Sequence, residues 1–255
     1  MKIFYSKKKL EKFIRYEKKL GFVPTMGGIH LGHISLVKKS IHECKKTIVT
    51  IFVNKQQFNN KRDYDNYPRT IKKDIFLLRK AKVDFLYLPK SKEIYSNLLY
   101  KKIKISSFSK KLCGKNRPGH FESVADVLHR FIKIINPHKI YFGQKDMQQL
   151  KIMEHYIKKN FKNIKVVGCK TIREKNGLAL STRNSKLSYN NKKIAVKIYK
   201  CLINNKNTLI KNINYVKIVK KNILDIGATK IDYIVVLDCN KLIKPYKKSK
   251  KIKVF

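Results

Sequence analysis

The stretch Gly21-Phe-Val-Pro-Thr-Met-Gly-Gly-Ile-His-Leu-Gly-His-Ile-Ser-Leu-Val37 decides the fold. It reads as a short apolar strand at Gly21 to Val23, a turn holding Gly27 and Gly28, and a helix with Ile34, Val37, Ile41 and Cys44 on one stripe. A strand feeding a helix through a glycine turn is the repeating step of a parallel sheet covered by helices. Outward from there the alternation recurs. Thr47 to Val53 reads as a buried strand, Thr70 to Lys80 as a helix, and Val83 to Leu88 as a strand ended by Pro89. Phe121, Val124, Ala125, Leu128, Phe131, Ile132 and Ile135 fall at helical spacing up to Asn136-Pro137, before strands at Lys139 to Phe142 and Ile164 to Gly168. The predicted class is α/β, a Rossmann-like parallel sheet with flanking helices over residues 1–171. Residues 172–255 turn glycine-poor and lysine-rich, with helices near Ser188 to Asn204 and Tyr215 to Leu224. Strands near Ile231 to Leu237 and at Lys251 to Phe255 complete a smaller α+β domain.

A net charge of +45 on 255 residues suggests a polyanionic partner, but its distribution argues otherwise. Eight of the 61 basic residues are arginines, and the lysines are scattered over every segment, the pattern of an AT-rich codon bias rather than of a selected basic face. No specific nucleic acid is expected. The five cysteines form no CxxC pair and read as buried thiols in a reducing cytoplasm. The longest apolar stretch, Ile48 to Val53, is far short of the roughly 20 residues of a membrane span, and the N-terminus lacks a signal-peptide core, so a cytoplasmic protein is expected.

Five constellations carry chemistry. In Pro24-Thr-Met-Gly-Gly-Ile-His-Leu-Gly-His33, a strand end opening a helix offers free backbone N–H groups, and His30 and His33 lie three apart beside them. A bare HxxH more often marks a helix cap with one core histidine; the two glycines and the preceding strand favour phosphate. Asn54-Lys-Gln-Gln-Phe58 follows a buried strand, where Gln57 can donate to a carboxylate or form an ordinary polar turn. In Arg117-Pro-Gly-His-Phe121 the arginine is a bidentate donor or half of a structural ion pair. In Gly143-Gln-Lys-Asp146, Lys145 can bridge phosphates and Asp146 either caps a helix or holds a ribose hydroxyl. In Leu178-Ala-Leu-Ser-Thr-Arg-Asn184, Ser181 and Arg183 sit in a loop able to close over a polyphosphate.

With the Tyr-Pro-Arg-Thr70 block, these motifs in this order resemble the pantoate–β-alanine ligase family over about residues 20–187. The resemblance implies an ATP-dependent ligation through a pantoyl adenylate, releasing AMP and pyrophosphate. By position, Met26, Gly27, Gly28, Ile29, His30, Leu31, Gly32 and His33 would line the ATP phosphates, with His33 as proton donor and charge stabiliser. Gly143, Gln144, Lys145 and Asp146 would contact ATP, Ile172 would border the adenine, and Leu180, Ser181, Thr182 and Arg183 would clamp the triphosphate. His30, His33, Lys145 and Arg183 are the implied catalytic set; Gln57 and Gln149 would hold pantoate, with Gln57 also near β-alanine. The same resemblance implies magnesium arriving with ATP, no all-protein metal site, a homodimer, and a shortened C-terminal lid. Lys55 stands where proline is usual in the family, Gln144 where glutamate is, and Asp126 where a small neutral residue or threonine is.

Overall fold

The computed structural model describes residues 1–95, 103–239, 243–246, 249 and 252–254. The chain divides into two compact units, one of Met1–Ile172 with Leu180–Arg183, the other of Arg173–Ala179 with Asn184–Phe255. The segment Leu180–Arg183 therefore belongs with the first unit, whereas the change of composition after residue 171 assigns it to the second.

The first unit contains, in chain order, β1 (Lys2–Phe4), α1 (Lys7–Ile14), β2 (Leu20–Thr25), α2 (Leu31–Glu43), β3 (Lys46–Ile51), α3 (Lys61–Asp65), α4 (Ile71–Lys80), β4 (Phe85–Tyr87), α5 (Ser91–Tyr95), α6 (His120–Ile135), β5 (Lys139–Gly143), α7 (Met147–Asn160) and β6 (Lys165–Cys169). The six strands form one sheet in the order β1-β4-β3-β2-β5-β6, and every pairing is parallel. The chain winds outward from β2 through β3 to β4, then restarts on the other side at β5. The β2/β5 boundary is thus a topological switch point, and loops leaving the carboxyl ends of these two strands diverge to open a crevice.

Successive strand residues face opposite sides, and this splits the core. Val23, Val49 and Leu86 pack with Leu36 and Val37 of α2 and Leu78 of α4. Their neighbour Phe22 instead meets Phe131 of α6 across 5.9 Å on the other face. Phe22, Ile48, Leu78, Leu86 and Ile140 are fully buried, each contributing about 1.5–3 kcal/mol relative to exposure. Asn136 closes α6 in the left-handed conformation at φ 46°, the stop that Asn136-Pro137 predicts.

Some expectations shift. The buried stripe of α2 is Leu36, Val37 and Ser40, whereas Ile41 is exposed and Cys44 lies just past the helix end. None of the five cysteines is in a disulfide, and only Cys169 and Cys239 are buried. Strand β1 and helix α1 have no counterpart in the sequence reading.

The second unit holds α8 (Tyr189–Asn204), α9 (Lys206–Lys211), α10 (Val216–Asp225) and an antiparallel pair of β7 (Val236–Asp238) with β8 (Ile252–Val254). Its core is Leu209, Val219, Ile223, Ile234 and Val236. Ser188 caps α8 by accepting the Asn191 N–H at 3.2 Å. The strand predicted over residues 231–237 forms its ladder only from Val236, and residues 251 and 255 of the other predicted strand lie outside the described residues.

Candidate active site

Because β2 and β5 are neighbours, the loop after each ends beside the other. The β2 loop is tied down from beneath by Asp74, a fully buried residue of α4. The Gly28 N–H donates to Asp74 Oδ2 at 3.0 Å, the Ile29 N–H to Oδ1 at 2.8 Å, and the Thr70 hydroxyl to Oδ1 at 3.0 Å. The Gly27 N–H donates to Thr25 Oγ1 at 3.2 Å. The amides expected to receive a phosphate are therefore already bonded within the protein. The loop acts as a rigid mount for the two histidines that follow it.

Those histidines cap α2 reciprocally. His30 Nδ1 accepts the Gly32 N–H at 3.1 Å, the His30 N–H donates to His33 Nδ1 at 3.4 Å, and the two rings lie 4.0 Å apart. Burial, with His30 and Lys145 adding positive charge, pushes the His33 imidazole down to about 3, and burial beside Lys145 lowers His30 as well. With Nδ1 of His33 accepting, its proton sits on Nε2. The site without ligand therefore offers a neutral N–H donor at His33, in place of the imidazolium that a phosphate-binding histidine suggests.

Loop 180–183 docks on the glycine turn. The Thr182 hydroxyl donates to the Gly28 carbonyl at 3.1 Å, and a Cβ on Gly28 would collide with Thr182 Cγ2. Gly28 also has φ +63°, so contact and conformation both demand glycine. Arg183 grips Asp63 through Nη2 at 2.8 Å and Nε at 3.4 Å, with its guanidinium 5.3 Å from the Tyr67 ring. After β5, Lys145 pairs with Asp146 at 3.0 Å, and Asp146 makes no capping bond to α7. Gln148 turns inward to the carbonyls of Phe108 and Lys111 at 2.9 and 2.7 Å, which leaves Gln149 to face the crevice.

The crevice is a cavity of about 230 Å³ onto which His30, His33, Lys145, Arg183, Gln57 and Gln149 all converge. Met26, Asp146, Ser181 and Thr182 line it too. A second cavity of about 130 Å³ shares His30, His33 and Lys145 and is bordered by Gly32, Gly143, Ile172 and Leu180. Gly27, Gly28, Ile29, Leu31 and Gln144 line neither. Leu31 is 69% exposed, Ile29 is buried, and Gln144 reaches back to the Gly168 carbonyl at 3.5 Å.

Arg117 and His120 also line the larger cavity. His120 Nδ1 donates to the Gln57 backbone carbonyl at 2.8 Å, fixing the turn that carries Gln57, and burial lowers its imidazole to about 4. Asp63 and Asp74 are absent from the sequence reading. The available signal for Asp74 is its place four residues before the buried Leu78, a carboxylate on the apolar side of α4.

These histidines make stability acid-sensitive. His33 and His120 stay neutral in the folded protein down to about 3 and about 4, whereas their ordinary value is 6.5. Between pH 6.5 and 4 the unfolded chain therefore binds more protons, and stability falls as pH falls, by about 1.4 kcal/mol per pH unit for each residue. Thermal midpoints recorded from pH 7 to 4 should drop steeply below 6.5; a flat profile from 7 to 5 contradicts these assignments.

The converging groups are imidazole, ammonium, guanidinium and amide donors, suited to a polyanion and a carboxylate together. Among the described residues, no group of three or more His, Cys, Asp or Glu side chains could hold a metal ion. No helix there is long and apolar enough to cross a membrane.

The family model for pantoate-beta-alanine ligase matches residues 2–255. A pantothenate synthetase of Clostridium botulinum (strain Kyoto / Type A2) is 42% identical over 223 residues, covering 86% of this chain and 79% of its own length. The crystal structure of pantothenate synthetase from Thermus thermophilus superposes with a TM-score of 0.89 at 30% identity, over 96% of this chain and 90% of that one. The pantoate-beta-alanine ligase of Francisella tularensis, complexed with beta-gamma ATP and beta-alanine, gives 0.81 at 36% identity, over 92% and 89%.

Proposed function

Because the chain belongs to the pantoate–beta-alanine ligase family, we propose that the cavity between the β2 and β5 loops is where ATP, pantoate and β-alanine are joined into pantothenate. The observation that carries the reading is the convergence of His30, His33, Lys145 and Arg183 with two neutral amides, Gln57 and Gln149, on one cavity.

The reaction proceeds in two displacements. A pantoate carboxylate oxygen, aimed by Gln57 and Gln149, attacks the α-phosphorus of ATP, and the bond from that phosphorus to the bridging oxygen breaks to release pyrophosphate. The amine of β-alanine then attacks the acyl carbon, loses a proton, and displaces AMP as the C–O bond breaks. Displacement at phosphorus chiefly requires positioning and charge neutralisation. His33 donates a neutral N–H to the α-phosphoryl oxygens as the adenylyl group is transferred. Lys145 and Arg183 neutralise the departing pyrophosphate, each exchanging its carboxylate partner, Asp146 or Asp63, for phosphate oxygens. His30 seats His33 through the reciprocal cap. Asp146 holds the ribose, and the smaller cavity at Ile172 and Leu180 takes the adenine.

Magnesium bound to the ATP phosphates would supply further charge neutralisation there, beside Lys145 and Arg183. The homodimer and the lid role of the second unit are carried over from the resemblance, and the cytoplasmic location from the cysteine usage and apolar patterning of the sequence. Mass spectrometry of a mixture with ATP, magnesium, pantoate and β-alanine should find pantothenate, AMP and pyrophosphate in equal amounts. ADP and phosphate, or no pantothenate, would overturn the reading.

A further inference from the structure

We propose that Tyr95, which does not line the cavity, is a positioning residue that fixes which face of the Gln57 amide the substrate meets. This deepens the proposed function and rests on its reading of Gln57 as a substrate-binding group. A primary amide presents an acceptor on one side and donors on the other, and the two are nearly identical in shape, so its neighbours must set the orientation. A carboxylate substrate needs the donor side.

The structure supplies a relay that sets it. The Tyr95 hydroxyl has one proton and donates it to Asn54 Oδ1 at 2.9 Å. Asn54 is 1% exposed, and with its carbonyl committed to Tyr95 its NH2 must point the other way. That NH2 is shared between Gln57 Oε1 and the Ser123 carbonyl, at 3.4 Å each. Gln57 Oε1 is thereby occupied as an acceptor. Gln57 Nε2 is left 2.8 Å from Met26 Sδ, a weak acceptor that a carboxylate oxygen readily replaces. Met26, Asn54 and Gln57 all line the cavity.

Tyr95 itself is held by a buried ion pair. The Arg130 guanidinium stands 4.6 Å from the Tyr95 ring centroid. Arg130 Nε donates to both oxygens of Asp126 at 3.0 and 3.1 Å, and Nη1 donates to the Ile94 carbonyl at 3.1 Å. The order of action is therefore Asp126, Arg130, Tyr95, Asn54, Gln57. Removing an early link frees Gln57 to turn its carbonyl toward the substrate, where it repels a carboxylate.

Tyr95→Phe removes one hydroxyl and keeps the ring beneath Arg130. Steady-state kinetics on the full chain should show KM for pantoate, for β-alanine or for both rising roughly tenfold, the scale of one misdirected hydrogen bond to a charged group, with KM for ATP unchanged. In a Gln57→Ala background the same substitution should have no further effect, because the relay acts only through that amide. Asp126→Asn should act in the same direction at smaller size, and serves as the test if Tyr95→Phe does not fold. An unchanged KM for both acids, an equal rise for ATP, or full additivity with Gln57→Ala would overturn the relay. If Gln57→Ala raises the KM and Tyr95→Phe does not, the relay alone is wrong. If Gln57→Ala itself leaves both KM values unchanged, the reading of Gln57 fails and the relay falls with it.

Discussion

His33→Ala lowers the turnover of pantothenate formation by about 10² to 10³, the usual loss when one preorganised donor to a transition-state charge is removed. The expectation follows from the geometry. His33 lines both cavities, is locked by the His30 backbone N–H on Nδ1, and has a proton left to offer only on Nε2. A bound triphosphate would also raise its basicity from about 3, so the donor strengthens where charge accumulates. The loss should appear in kcat at saturating ATP, since an interaction made chiefly in the transition state costs rate rather than affinity. A folded variant with an unchanged rate removes His33 from the chemistry. His33→Gln restores an N–H donor in a different position and should recover only part of the loss.

Asp74→Ala has the largest expected effect on stability. Its fully buried carboxylate satisfies the Gly28 and Ile29 amides and also accepts the hydroxyl of the exposed Thr70. Truncation leaves the Gly28 and Ile29 amides without partners, at about 1–3 kcal/mol apiece, whereas the exposed Thr70 hydroxyl turns to water, so the expected loss is about 4 kcal/mol. Activity should fall further than the folded fraction does, because the same bonds hold the turn that leads into His30 and His33. Asp74→Asn keeps one acceptor but sets an NH2 against a backbone N–H, and should fall between alanine and the native protein. Urea unfolding measures the first effect and kcat of the residual folded protein the second. A cost below about 1 kcal/mol for Asp74→Ala would mean that the loop is held by something else.

What is legible in the sequence follows from periodicity and from chemistry that is local along the chain. The strand, glycine turn and helix from Gly21 to Val37 can be read directly because each element declares itself within a few residues. Ile41 is misplaced because a helical stripe predicted from hydrophobicity does not reveal how far the sheet beneath it extends. Strand β1 and helix α1 are invisible: three residues, Lys2–Phe4, carry no period, and Lys7–Ile14 buries only Leu10 and Ile14 in a run dominated by lysine. The cavity-lining groups of the histidine motif, the Lys145 turn and the Arg183 loop can be named because each follows a strand end or carries a distinctive motif. Their partners cannot. Asp63 meets Arg183 across 120 positions, Asp74 meets Gly28 across 46, and Tyr95 meets Asn54 across 41, and nothing local in a sequence signals such a meeting. The loop amides show the consequence, since a motif that locally leaves them free for phosphate is already closed by a distant carboxylate.

In the proposed reaction the acid is activated as an adenylate before the amine takes part, and isotope exchange tests this order most directly. With ATP, magnesium and pantoate but no β-alanine, labelled pyrophosphate should enter ATP, and leaving out pantoate should abolish the exchange. Exchange that requires β-alanine, or release of ADP and phosphate in place of AMP and pyrophosphate, would contradict the account.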